Sequence, residues 1–130
     1  AYKEANRREG SAGDNLMILL ETRLDALVYR MGFARTIFAA RQYVTHGHFT
    51  VNGVRSFSPA RQIKAGDVIA IREQSKEHVQ IKEAIANAPA APEYLTVDAG
   101  KMEGSLVKLP LREQIPVQLE EQLVVEYYSR

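Results

Sequence analysis

Asn52-Gly53 constrains this chain more than any other pair of residues. It stands between Phe49 and Val51 on one side and the run Val54 to Phe57 on the other. Both residues tolerate the positive φ angles of a type I′ turn, whose twist matches that of paired strands, so they predict a two-residue antiparallel hairpin. The chain before it has a different period. Thr36 is an N-cap type of residue, Ala40 and Val44 recur at helical spacing, and Gly47 can take the left-handed conformation after His46, which predicts a short helix over 36–46. Earlier still, Leu16, Leu20, Leu24, Leu27, Val28 and Met31 recur every three or four residues, the mark of one apolar face on a helix ending at Gly32. After the hairpin, Ser58-Pro59 predicts a bend, Lys64-Ala65-Gly66-Asp67 a tight turn, and Val68 to Ile71 a strand. The expected fold class is α+β, two short helices packed on a small antiparallel sheet.

The flanks read less simply. Residues 1–9 are helix formers without a cap, Gly10 and Gly13 interrupt them, and Asp14 or Asn15 is expected to cap the following helix. Residues 76–87 are expected to be helical, with His78, Ile81 and Ile85 on one side. The stretch Ala88-Pro89-Ala90-Ala91-Pro92 then predicts a stiff linker and the clearest boundary. Beyond it, 94–97, 105–109 and 123–128 are short strand-like runs. The organisation these signals predict is a helical segment in 1–22, a compact module in 23–87, and a C-terminal segment in 88–130.

Charge is distributed unevenly. The net charge is only +1, yet 23–64 holds seven Lys or Arg against the single acid Asp25, while the other 88 residues hold 10 basic and 15 acidic side chains. A basic segment inside acidic flanks makes a localised positive field of the kind that attracts a phosphate backbone. There is no cysteine, which excludes disulfides, thiolate metal sites and thiol nucleophiles. The apolar run Leu16 to Leu20 is far short of the ~20 residues that cross a bilayer, so no membrane partner is expected.

On the helix over 36–46, Arg41 and Thr45 are four apart, as are Gln42 and His46, so they stack on a strip opposite Ala40 and Val44. Arg35 and Thr36 enter that strip from the preceding turn. His46-Gly47-His48 and the hairpin with Asn52, Gly53 and Arg55 continue it. Cations, neutral hydrogen-bonding groups and close-approach glycines together suit RNA phosphates and 2′-hydroxyls. Arg30, Arg35, Arg55 and Lys64 belong to this RNA-binding set mainly on the charge argument, and Arg23 joins it as the first cation of the basic segment. His46-x-His48 without a third ligand is weak as a metal site, and neither a metal nor a cofactor is expected. Phe33, Phe38, Tyr43 and Phe49 are candidates for base stacking, but for most of them a place in the core is the simpler expectation.

The stretches GDNLMILLETRLDALVYRMGFA, ARQYVTHGHFTVNG, IKAGDVI and EQLVVEYYSR resemble the bacterial-type small-subunit ribosomal protein S-four family, from Tyr2 to Arg130. The resemblance implies that family's RNA-binding module in 23–87, with a second, discontinuous domain that also binds RNA: 1–22 would be the end of that helical RNA-binding domain, and 88–130 the segment that returns to it. It implies binding to small-subunit ribosomal RNA during assembly, contact with a neighbouring small-subunit protein, a role in translational accuracy, and a place in the ribosome of the cytoplasm. The protein's own messenger RNA is a further partner to consider. Family proteins are longer at the N-terminus, so this chain is expected to be a fragment. Arg41, Gln42, His46, His48, Asn52 and Gly53 match the family pattern and carry its expectation of RNA contact. One departure stands out: many members place basic residues after Ala34-Arg35-Thr36, where this chain has Ile37 and Phe38.

The main rival is an RNA-modifying enzyme, because pseudouridine synthases and tyrosyl-tRNA synthetases carry the same module. Arg23-Leu24-Asp25 resembles the tripeptide holding the synthase's catalytic aspartate. Here it continues into Ala26-Leu27-Val28-Tyr29, expected to be the middle of a helix, which points to a local ion pair and no catalytic residue. A small ribosome-rescue protein sharing the module is the third reading, though the flanks GDNLMILLE and EQLVVEYYSR are not expected of it.

Overall fold

The computed structural model describes residues 12–115. Its helices are α1 (Ala12–Glu21), α2 (Leu24–Arg30), α3 (Ile37–Thr45) and α4 (Val79–Ala86). The strands are β1 (Phe49–Val51), β2 (Val54–Arg55), β3 (Val68–Ile71), β4 (Leu95–Asp98) and β5 (Glu103–Leu106), with short 3-10 turns at Glu73–Ser75 and Arg112–Gln114. All five strands form one antiparallel sheet in the order β2-β1-β3-β5-β4. The α+β class is as the sequence predicts.

The core follows from the two periodicities. Phe49 and Val51 alternate with Thr50 on β1, Ile69 and Ile71 do so on β3, and the register pairs Phe49 with Ile71 and Val51 with Ile69. These side chains share one sheet face. Against it lie Leu24, Leu27, Val28 and Met31 of α2 and its end, and Ala40, Tyr43 and Val44 of α3, all in one buried cluster. Met31 reaches the sheet at Gly104, where an added Cβ would sit 2.8 Å from its sulfur and 2.9 Å from the Thr96 carbonyl oxygen.

The expected long helix is two helices. At Thr22 the hydroxyl donates to the Ile18 carbonyl at 2.8 Å, and Arg23 turns extended and forms an antiparallel bridge with Gln62. The first free N–H groups of α2 are then taken by the loop before β3. Leu24 donates to the Arg61 carbonyl at 2.9 Å and Asp25 to the Pro59 carbonyl at 3.0 Å. No Gly or Pro marks this break, and the leucine spacing runs across it because both helices face apolar surroundings. Asp14 and Asn15 lie inside α1, which begins at Ala12, and not at the N-cap position expected of them.

The expected helix over 76–87 is shorter: His78 caps α4 by accepting from the Ile81 N–H. The Ala–Pro stretch after it is not an edge of the sheet, because β4 and β5 beyond it supply two of the five strands. The 3-10 turn Arg112–Gln114 comes back against α1. The expected helix in 1–9 and strand in 123–128 lie outside the described residues. Among the described residues no helix is long and apolar enough to cross a membrane.

Candidate nucleic-acid interface

α3 begins where Thr36 Oγ1 accepts from the Ala39 N–H at 3.0 Å, so the Thr36 hydroxyl serves as an N-cap. Ile37, Ala40, Tyr43 and Val44 turn inward, which leaves Phe38, Gln42 and Thr45 exposed. The helix ends on His46, and Gly47 takes φ +80°. Glycine is required there twice over. An L residue is strained at that φ, and a Cβ would fall 2.5 Å from the Phe57 ring and 2.7 Å from the Arg55 guanidinium.

Arg55 reaches back from the hairpin. Its Nε donates to the Gly47 carbonyl at 2.8 Å, and its guanidinium lies 4.8 Å from the centre of the exposed Phe57 ring. Helix end, glycine turn and hairpin therefore form one continuous surface carrying Gln42, Thr45, His46 and Arg55. Arg35 is exposed at the same end of α3 as Thr36 and makes a loose 3.6 Å pair with Glu83, itself exposed. Such a pair contributes little and yields readily to a competing phosphate.

Other expected site residues have different duties. Arg23 is 5% exposed and donates from Nη2 to Asp25 Oδ2 at 3.0 Å, so it faces inward. Arg30 pairs through Nε with the buried carboxylate of Glu21 at 3.1 Å, and Glu21 also accepts from the Tyr94 hydroxyl. Burial pushes the Glu21 carboxyl up against the opposing pull of Arg30. Neither arginine belongs to an open basic strip; charge counting cannot tell an inward cation from an outward one. Arg41 is intermediate: its side chain is 28% exposed and its Nε lies 3.6 Å from Asp25 Oδ2.

Asn52 and Gly53 adopt φ +52° and +84°, the hairpin the sequence predicts. The Asn52 side chain is engaged within the protein. Its amide nitrogen donates to Asp67 Oδ1 and its oxygen accepts from the Val68 N–H, each at 2.9 Å. Asp67 Oδ2 also accepts from the Lys64 N–H at 2.8 Å, and these hydrogen bonds hold its carboxyl below the usual range. Asn52 thus ties the hairpin to the 64–67 turn, while Gly53 and Lys64 stay exposed. Of the four aromatics considered for stacking, Phe33 and Phe49 pack together in the core, Tyr43 is buried, and Phe38 is 62% exposed.

His48 brings together residues that lie far apart along the chain. Its Nδ1 is 2.7 Å from Ser75 Oγ, and its ring centre lies 4.8 Å from that of His78 and 6.2 Å from that of His46. Burial, with His78, His46, Arg72 and Arg55 around it, holds the His48 imidazole below its ordinary value. Ser75 and His78 are 27 and 30 positions away, so only the fold joins them. Among the described residues no group of three His, Asp or Glu is arranged to hold a metal ion. Asp25 is wholly buried in the first turn of α2, earlier than the mid-helix position expected, beside Arg23 and Arg41.

Residues 22–69 match the family described as the S4 domain. Across 129 residues, 99% of this chain, the sequence is 52% identical to the small ribosomal subunit protein uS4 of Exiguobacterium sibiricum, covering 65% of that protein. It is 50% identical to the proteins of the same name from a Geobacillus species and from Oceanobacillus iheyensis, covering 64% of each. The chain thus spans a little under two thirds of the length of these curated relatives. With a core and hairpin built as above, residues 22–69 match the S4 domain, and the likeness to the bacterial small ribosomal subunit protein uS4 extends through both flanks.

Proposed function

We propose that this protein binds small-subunit ribosomal RNA through the surface that runs from α3 across Gly47 to the β1–β2 hairpin, as a structural part of the small ribosomal subunit. The observation that carries this reading is the joining of exposed Gln42, Thr45, His46 and Arg55 around a glycine that brings helix end and hairpin together, with partly exposed Arg41 one turn earlier on α3 and exposed Arg35 at its start. Phosphates take charge-assisted hydrogen bonds from the arginines, and 2′-hydroxyls pair with the neutral groups. The relatives' name supports the ribosome as the setting. Contact with a neighbouring ribosomal protein, an influence on translational accuracy and binding to the protein's own messenger RNA belong to this reading as further proposals. So does the division into an RNA-binding module and a second unit, with the return of the Arg112–Gln114 turn to α1 in its favour.

The role is binding, not catalysis. Asp25, the residue that invited comparison with a synthase, is 0% exposed and faces two arginines, which leaves no path for a substrate base. The rescue-protein reading is weakened by a likeness that continues outside the S4 domain through 99% of the chain. The test is a filter-binding titration at pH 8 with a small-subunit ribosomal RNA fragment and an unrelated RNA of equal length. Preferential binding of the ribosomal fragment is expected; equal binding of both would overturn the proposal.

A further inference from the structure

His48 stands at the meeting point of four segments. From α3 come Tyr43, whose ring centre is 6.2 Å away, and His46; from the hairpin comes Arg55; after β3 come Arg72 and Ser75; from the start of α4 comes His78. The charged or chargeable groups acting on it, His78, His46, Arg72 and Arg55, are all cationic or able to become so. The acids of the same stretch are engaged elsewhere, Glu73 with Lys76 at 3.4 Å and Glu77 with Lys82 at 3.0 Å. A histidine so surrounded resists a proton until a negative charge arrives.

The hydrogen bonds single out His48 within the trio. The Nδ1 of His78 accepts from the Ile81 N–H, so protonating it there would break the cap of α4. The Nδ1 of His48 faces a serine hydroxyl, which can accept from an imidazolium as well as donate to a neutral ring, so this contact survives protonation. His46, exposed, and Arg55, on the proposed RNA-binding surface, border the same cluster.

We infer that His48, flanked by His46, His78, Arg55 and Arg72, forms a seat for an RNA phosphate that takes up a proton as the phosphate docks, so that RNA binding tightens as the pH falls from about 8 to about 6. This rests on the RNA-binding reading above and adds a regulation to it. The phosphate supplies the negative charge that the cluster lacks, and the imidazolium then donates to it. By linkage, a proton taken up on binding makes affinity rise as pH falls, by up to about tenfold for each unit by which the phosphate raises the imidazole.

The experiment measures affinity for the ribosomal RNA fragment at fixed ionic strength between pH 6 and 8.5. Calorimetry in two buffers of different ionisation enthalpy counts the protons taken up. The wild type should bind more tightly toward pH 6 with net proton uptake. His48→Gln should lose most of that rise. His78→Asn keeps a side-chain acceptor for the α4 cap but removes one repelling neighbour, so it should move the midpoint to higher pH, an effect that a purely structural role would not produce. Binding that is present but independent of pH, or a His48→Gln variant with the wild-type slope, would overturn the inference and leave the RNA-binding reading standing. No binding at any pH would overturn both.

Discussion

Arg23 and Asp25 face each other inside the protein, Nη2 to Oδ2 at 3.0 Å, with 7% and 0% of their side chains exposed. Two residues that a charge map places on an RNA-gripping strip and in a catalytic tripeptide are instead a buried ion pair at the start of α2. Burial alone drives the Asp25 carboxyl up; Arg23, the Ala26 N–H at 2.7 Å and Arg41 hold it back. Removing one member of such a pair leaves the other charged and without compensation.

Asp25→Ala should therefore destabilise the fold by about 3–5 kcal/mol, the range for a broken buried pair. Urea unfolding checks this through the midpoint at unchanged slope. A loss under about 1 kcal/mol would mean that the surroundings relax around Arg23 and that the pair has little structural role.

Stability should fall with acid through His48. Its folded-state value is lowered from the ordinary 6.5, so below that pH the unfolded chain binds the proton first. The contribution is complete above about pH 7 and is lost as the pH falls through 6.5 toward the folded-state value. Urea midpoints of wild type and His48→Gln at pH 5.5 to 8 should diverge in this way, the variant having the shallower acid-side loss. In the free protein acid weakens the fold, whereas in the complex mild acid tightens binding, so the two effects of one histidine have opposite signs.

Asn52→Ala should cost about 1–2 kcal/mol, since it removes both side-chain bonds to the 67–68 segment and puts alanine at φ +52°. Asn52→Gly, which tolerates that φ, should lose less. Neither should alter the salt dependence of RNA binding, because the amide is turned to Asp67 and Val68. A change in that dependence for Asn52→Gly would restore Asn52 to the RNA contacts.

The hairpin, the cap at Thr36, the turn at 64–67 and the β3 strand were legible because each depends on local chemistry: αL-tolerant residues, a hydroxyl acceptor, a period of two. What could not be read depends on distant partners. The break at Thr22-Arg23 exists because Arg61 and Pro59 offer carbonyls to α2, and nothing within 16–31 announces them. The joining of β4 and β5 to the sheet lies across a Pro-rich stretch that locally looks like a boundary. Within the candidate site, residue type identified Gln42, Thr45, His46 and Arg55, which are exposed. Charge alone did not separate them from Arg23 and Arg30, whose acidic partners fold over them.

The arginines of the basic segment should therefore divide in their effect on salt dependence. Each phosphate neutralised by a cation releases condensed counterions, and removing that cation lowers the slope of log affinity against log salt by up to about one unit. Arg55→Ala and Arg41→Ala should flatten the slope and weaken binding by about 1 kcal/mol or more, the scale of a charge-assisted hydrogen bond. Arg41 also lies beside Asp25, so Arg41→Ala is scored only on protein shown to be folded at the assay temperature. Arg30→Met should destabilise the fold by stranding Glu21 yet leave the slope of the folded fraction unchanged, since its guanidinium is directed at that carboxylate. Lys82→Ala, whose ammonium is 3.0 Å from Glu77, should change neither affinity nor slope. Filter binding at several salt concentrations separates these cases. Equal losses for Arg55→Ala and Lys82→Ala would mean that attraction is spread over the whole molecule. A flattened slope for Arg30→Met would mean that the Glu21 pair opens to admit RNA, which would extend the interface to the far end of α2.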